Sequence, residues 1–321
     1  MKVKISKIAC LLVWPAIFLQ GSAFSADEKI AVFTKNQTNP FFQAFRLGAD
    51  SAAKQMGAST THYVPTKPDS IPEQLSSIDD VVVKKPNGIV LIPVDYKAIA
   101  PGVKKINDAN ITVVNATDRS ESGNFVNYVG AHDYNTAFAA GTSLVKALNG
   151  TGNVVIIEGV RGVLGNTDRV RGFKNAIEKA PGITLLTSQP ANYQRLQALQ
   201  VMENLMQTHP KIDGVLAAND AMATGVAEAL EGANRKALIV GINGSKEAVE
   251  AIRTGKMLAS GDAAPFLQGC FATMSAIRSI RKMPVPKEVI FPAMVVEKSN
   301  LANYDLPPEK QACPAWESIV K

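Results

Sequence analysis

The sequence predicts an α/β fold built as two doubly wound, parallel-sheet lobes. Short β-branched or apolar runs alternate with longer stretches of helical period. The connections are a few residues long, as when each helix returns the chain to a neighbouring parallel strand. About ten such strands are more than one compact sheet commonly holds. Two lobes of ordinary domain size suit a chain of 321 residues.

A strand at 30–33 opens the series. A helix follows at 41–56, with Phe41, Phe42, Phe45, Ala49, Ala52, Ala53 and Met56 on one face and Gly57 as its stop. Then come a strand at 59–64, a helix at 71–84, a buried strand at 88–92, a helix at 98–109 and a strand at 111–115. A strand-like Tyr128-Val129 ends this run, and the lobe boundary falls at 130–133. The second half repeats the rhythm, with strands at 154–158, 183–188, 214–217 and 237–241. Helices at 136–148, 168–179, 195–208, 222–230, 246–254 and 266–282 accompany them. Proline-rich segments at 284–292 and 307–314 read as an ordered connection and a surface tail.

The first residues carry their own signal. Lys2, Lys4 and Lys7 lead into an apolar run at 8–19, and Ala23 and Ser25 form a small-x-small site. This pattern predicts a secretory signal peptide over 1–25, cut before Ala26. The run is shorter than the ~20 apolar residues that cross a bilayer. The chain is therefore expected to work outside the cytoplasm, which excludes ATP-driven chemistry. Of the formal charge of +6, three positive charges are these lysines, leaving +3 and no basic run. No nucleic-acid partner or anionic membrane surface is expected.

Cys10 departs with the signal, leaving Cys270 and Cys313, which an oxidising compartment is expected to pair. That bridge would tie a proline-rich tail to the last long helix. His62, His132 and His209 have no metal-ligand spacing. Neither a Gly-x-Ser-x-Gly nor a Gly-x-Gly-x-x-Gly pattern occurs, and Gly159, Gly162 and Gly165 read as a flexible loop. No catalysis, metal or cofactor is expected.

In open α/β sheets, ligands bind beyond the carboxyl ends of the strands. Seven predicted strand ends carry an amide, a carboxylate or a guanidinium: Asn39 before Phe41 and Phe42, Asp118-Arg119, Arg169, Asn192-Tyr193, Asn219-Asp220, Asn243 and Asp262. Each alone is also an ordinary turn or cap residue. Together they suit a polyhydroxylated ligand. Carboxylates accept from hydroxyls, Arg donates in a fixed fork and Asn does both. Aromatic faces cover the C–H faces of a ring.

At these residues the chain resembles the periplasmic sugar-binding proteins of ABC importers, in the ribose-binding-like branch of the type I periplasmic binding proteins. The matching words are Asn39-Pro40-Phe41-Phe42, Thr117-Asp118-Arg119, Asp168-Arg169-Val170-Arg171-Gly172-Phe173, the stretch from Ser188 to Tyr193, and Ala218-Asn219-Asp220-Ala221-Met222-Ala223. The resemblance implies that Asn39 and Asn219 bond hydroxyls and that Phe41, Phe42 and Tyr193 stack on the ring. It implies that Asp118 and Arg119 grip from the first lobe and Arg169 from the second.

Two positions depart from ribose binders. Asn243 stands where they have Asp, and Ala263, beside Asp262, where they have Gln. That leaves open another pentose, a deoxy or branched sugar, or a short polyol. The resemblance further implies a hinge of three crossings. The lobes would be 26–131 plus 264–292, and 132–263 plus 293–321 with the C-terminal tail. A monomeric periplasmic protein serving an ABC permease follows, with a chemoreceptor or sensor kinase as the alternative partner. A transcriptional regulator of similar core would need an N-terminal helix-turn-helix where the export signal stands.

Overall fold

The computed structural model describes residues 27–320, so the expected signal peptide, with Cys10, lies outside the described residues. The first run is β1 (Lys29–Phe33), α1 (Pro40–Met56), β2 (Ser59–Tyr63), α2 (Ile71–Lys84), β3 (Gly88–Leu91), α3 (Ala100–Asp108), β4 (Thr112–Ala116) and β5 (Tyr128–Ala131). The second is α4 (Asp133–Ala147), β6 (Thr151–Glu158), α5 (Leu164–Glu178), β7 (Gly182–Pro190), α6 (Arg195–Thr208), β8 (Gly214–Ala217), α7 (Asp220–Gly232), β9 (Leu238–Ile242), α8 (Lys246–Arg253) and β10 (Ala259–Asp262). Then come α9 (Pro265–Ile280), β11 (Glu288–Phe291), β12 (Met294–Glu297) and a terminal α10 (Trp316–Ile319).

These strands form two six-stranded sheets of matching order, β11-β5-β4-β3-β1-β2 and β12-β10-β9-β8-β6-β7. The pairings are parallel except that of β12 with β10. The chain passes between sheets after β5, after β10 and between β11 and β12. Buried β1, β3 and β8 are apolar without alternation, as expected of strands covered on both faces. The first sheet has an apolar cluster on each face, and the second shares one large cluster with its helices.

Four differences from the sequence reading have physical causes. The proline-rich segment at 284–292, read as a connection, carries β11, and Pro292, which has no N–H to continue a ladder, separates it from β12. Ala259–Asp262, which lacks β-branched residues, nonetheless forms β10, paired on both sides. Helix α5 starts at Leu164 and not at 168, although Gly165, Asn166 and Thr167 are weak helix formers. Gly165 fits closely there, since a Cβ would come 3.2 Å from Asp133 Oδ2.

The fourth difference is the tail. A 3-10 turn at Lys298–Tyr304 packs on the second lobe through Leu301, but the chain then returns to the first. Cys313 bonds Cys270 at 2.07 Å, and Trp316 stacks on Phe271 inside the first-lobe cluster.

Helices α1 and α9 touch backbone to backbone. A Cβ on Gly48 would lie 2.0 Å from Phe266 O, and one on Gly269 would lie 2.0 Å from Phe45 O. Gly48→Ala should force the pair apart and cost on the order of 1–3 kcal/mol, read as a lower urea midpoint. An unchanged midpoint would show that the contact is slack.

Candidate functional site

The cleft is built from strand-end loops of both lobes. After β1, Arg46 donates to Thr34 Oγ1 (2.9 Å) and fixes the loop that carries Lys35 and Asn36. Asn36 Nδ2 donates to Asp69 Oδ1 at 2.9 Å. Asn39 caps α1 through Oδ1, which accepts from Phe41 N–H at 3.0 Å. Phe41 and Phe42 meet edge to face, with ring centroids 5.3 Å apart.

After β4, Thr117 takes a left-handed conformation (φ 61°), unusual for a β-branched residue. Tyr128 Oη donates to its carbonyl at 2.7 Å, and Thr117 Oγ1 donates to Gln268 Oε1 at 2.8 Å. This turn aims Asp118 into the cleft, where Oδ2 lies 2.7 Å from Lys35 Nζ.

The second lobe supplies Arg169 from the second turn of α5 and Tyr193 from the loop after β7. Arg169 Nε donates to Asp133 Oδ1 at 2.6 Å, and Nη1 donates to Ala218 O at 2.7 Å. Nη1 also reaches Asn243 Oδ1 at 3.4 Å. Burial works against the Arg169 charge, but Asp133 outweighs it and the pKa is raised. Burial likewise pushes Asp133 above the usual carboxylate range, with Arg169 as the counterweight. The Tyr193 ring lies flat on Gly159, where a Cβ would come 2.2 Å from Cζ. Asn192, Tyr193 and Asn243 all have positive φ (51°, 60° and 134°). Each such residue costs on the order of 1–3 kcal/mol and persists where its surroundings impose it, often at functional sites.

These groups enclose a cavity of about 180 Å3. Asn39, Phe41, Phe42, Asp118, Arg169, Tyr193 and Asn243 line it together. Several atoms along it have no hydrogen-bond partner among the described residues: Arg169 Nη2, Asn243 Nδ2 and Tyr193 Oη as donors, and Asp118 Oδ1 and Asp133 Oδ2 as acceptors.

Five residues selected from the sequence, Arg119, Asn192, Asn219, Asp220 and Asp262, do not line it. Arg119 turns away, its guanidinium 3.7 Å above the Tyr128 ring and paired with Glu288 at 2.9 Å. Asn219 is consumed as the cap of α7, accepting from Met222 N–H at 2.9 Å and donating to Tyr193 O at 3.3 Å. Asp262 sits at the hinge, where Oδ1 accepts from Ala264 N–H (2.6 Å) and Oδ2 from Tyr304 Oη (3.0 Å).

Sequence reasoning missed Lys35, Asp69, Asp95 and Asp133, all on the cavity wall. Asp69 and Asp95 follow β2 and β3, two strand ends to which the same rule applies. Among the described residues no group of three or more His, Cys, Asp or Glu could hold a metal ion.

Two parallel-sheet lobes closing on a polar cavity at their strand ends define a two-lobed ligand binder. Residues 30–282 match the model of the periplasmic binding protein domain, and the chain belongs to that family. It is 30% identical over 276 residues to the ribose import binding protein RbsB of Haemophilus influenzae, covering 84% of this chain and 94% of that one. It is 31% identical over 254 residues to the D-allose-binding periplasmic protein of Escherichia coli, covering 76% and 81%. The structure of an ABC transporter periplasmic solute binding protein from Actinobacillus succinogenes with bound D-allose superposes with a TM-score of 0.83. That protein is 32% identical, with 86% of this chain and 100% of that chain covered.

Behind Asn243, buried Asp220 accepts from Ser260 Oγ (2.6 Å) and Ser245 N–H (2.8 Å). Burial, partly offset by these bonds, pushes its pKa up to about 6. The unfolded value is ~3.9. A carboxyl raised on folding stabilises the fold below about pH 4, and the contribution is lost as pH rises through about 6. Asp220→Asn can keep both contacts without titrating. Between about pH 4 and pH 7 the wild type should lose on the order of 3 kcal/mol relative to the variant. Urea denaturation across that range checks this, and parallel curves would rule the buried acid out.

Proposed function

We propose that the chain is the extracytoplasmic solute-binding component of an ABC importer, holding a monosaccharide or small polyol between its lobes and delivering it to the membrane permease. It acts by binding and not by catalysis, as a monomer, in the periplasm. The observation that carries this reading is the set of half-satisfied groups facing one small cavity from both lobes. Lys35 and Arg169 each spend one face on a carboxylate of the protein. What remains open is a mixture of donors and acceptors, which sugar hydroxyls match because each both donates and accepts. The cavity is smaller than the ~300–1,000 Å3 of drug-sized sites, which restricts the occupant to about one sugar ring.

Charge narrows the class further. Four carboxylates (Asp69, Asp95, Asp118 and Asp133) against two cations line the cavity, so an acidic sugar or sugar phosphate is disfavoured and a neutral one is favoured. Phe41, Phe42 and Tyr193 supply apolar faces for the C–H sides of a ring. Related proteins whose names specify ribose, D-allose or D-apiose set the panel to try first. A ligand engaged by both lobes favours the closed form, since only that form offers both sets of bonds.

Calorimetry with D-ribose, D-allose, D-apiose and myo-inositol tests the reading, and binding of none of them, nor of a wider panel of neutral sugars and polyols, would overturn it. Arg169→Lys keeps a cation opposite Asp133 but loses the fork that also reaches Ala218 and Asn243. The expected result is at least about tenfold weaker binding, since one charge-assisted bond contributes ~1.5–3 kcal/mol. Equal affinity would remove Arg169 from the site.

A further inference from the structure

The C-terminal segment crosses between the lobes a fourth time. Its last hold on the second lobe is double. Tyr304 Oη donates to Asp262 Oδ2 at 3.0 Å, and Arg253 in α8 pairs with Asp305 at 2.7 Å. Its first hold on the first lobe is a 3-10 turn at Pro308–Lys310, which packs against α1. Beyond it, Cys313 is bonded to Cys270 in α9. Trp316 lies on Phe271 with the Arg278 guanidinium 4.6 Å from its ring. Between the holds run only Leu306 and Pro307, with Leu306 51% exposed.

This crossing differs from the other three, which pass through the hinge at strand ends. A cavity of about 490 Å3 separates it from the hinge residues Asp262, Ala264 and Met294, with Gln43 and Leu47 of α1 and Lys246 as further walls. A link lying on a rotation axis follows the rotation by twisting. A link set off the axis must change length. Three residue steps from Asp305 to Pro308 reach at most ~10–11 Å. If the 3-10 turn peels from α1, the disulfide still ends the free chain at Cys313, eight steps from Asp305, at ~26–29 Å.

We propose that residues 304–313 form a strap that limits how far the two lobes open, and that the Cys270–Cys313 bond fixes the strap's length. Opening beyond that length requires the tail to leave one lobe. Anchored by a covalent bond on the first lobe, it must give way at Tyr304 and Asp305 on the second. Restricting the open ensemble removes competing states and raises the fraction of molecules that can close on a ligand, which tightens apparent binding. Reduction of the bond loosens the strap and weakens binding. The affinity half of this proposal rests on the sugar-binding reading above, and the conformational half does not.

The test compares wild type with two variants. In one, Cys270→Ala is combined with Cys313→Ala. In the other, a Gly-Ser-Gly-Ser insert between Asp305 and Leu306 lengthens the strap and leaves the disulfide and both docking contacts in place, so the comparison survives if the first variant folds poorly. Small-angle X-ray scattering of each ligand-free protein reports lobe separation. Calorimetry with whichever of D-ribose, D-allose and D-apiose the wild type binds most tightly reports affinity. The expected result is a larger ligand-free radius of gyration in both variants, with binding on the order of fivefold weaker. An unchanged ligand-free radius in the lengthened variant overturns the strap. A larger radius with unchanged affinity overturns its role in binding. If wild type binds none of the three sugars, the functional reading loses its first support, while scattering alone still decides the strap.

Discussion

A guanidinium and a carboxylate are buried 2.6 Å apart where the chain first passes from one lobe to the other. Arg169 and Asp133 are each expensive to bury alone, and pairing them offsets the cost without turning it into much net stability. The pair is therefore better understood through what it positions. Asp133 begins α4 and stands at the junction of the lobes. Arg169 comes from α5, which packs along α4. From that pairing the guanidinium plane reaches the carbonyl after β8 and the amide after β9, so two strand ends of the second lobe share one rigid donor. Strained Tyr193 and Asn243 sit around it, and Thr117 faces it from the first lobe. Folding has already met the cost of ordering these groups, which leaves less for a ligand to supply on binding.

How much of this was legible in the sequence depended on the kind of signal. Helix period was dependable where one face was apolar throughout: α2 and α6 fall on the residues the pattern selects. It failed at the start of α5, where local propensity argues against the helical turn that forms. The extent of β10 was hard to read, although Asp262 was taken as following a strand, because Ala-Ser-Gly-Asp is extended through its neighbours and not through its own preference. The rule that ligands gather beyond strand ends found most of the cavity wall and also over-collected. Arg119 and Asn219 obey the rule in sequence, but a tyrosine face and a helix cap had the stronger claim on their side chains. Position along a strand says where a loop emerges. The direction of a side chain within it depends on φ at one preceding residue and on partners far along the chain, as with Thr117 and Gln268, 151 residues apart.

The two cysteines show the opposite case. Their pairing was expected from compartment and number alone, and the structure places them at 5.7 Å between Cα atoms. The expected bridge to the last long helix already pointed the end of the tail to the first lobe, against the bounds that placed 293–321 with the second. The first part of the tail follows the second lobe through Leu301, and only the burial of Trp316 and the position of Cys270 bring the remainder back.

The sheet order also governs when the protein can become itself. Strand β11 at Glu288–Phe291 is the edge partner of β5 at Tyr128–Ala131, and α9 at Pro265–Ile280 covers the same sheet. The first lobe, although it begins the chain, therefore lacks an edge strand and a principal helix until nearly the whole polypeptide is available. The second lobe likewise waits for β12. Contacts of such long sequence separation are slow to form, because loop closure precedes their reward. A newly made chain must thus remain incomplete until its C-terminal portion has been delivered, and its two halves reach their native form late and nearly together.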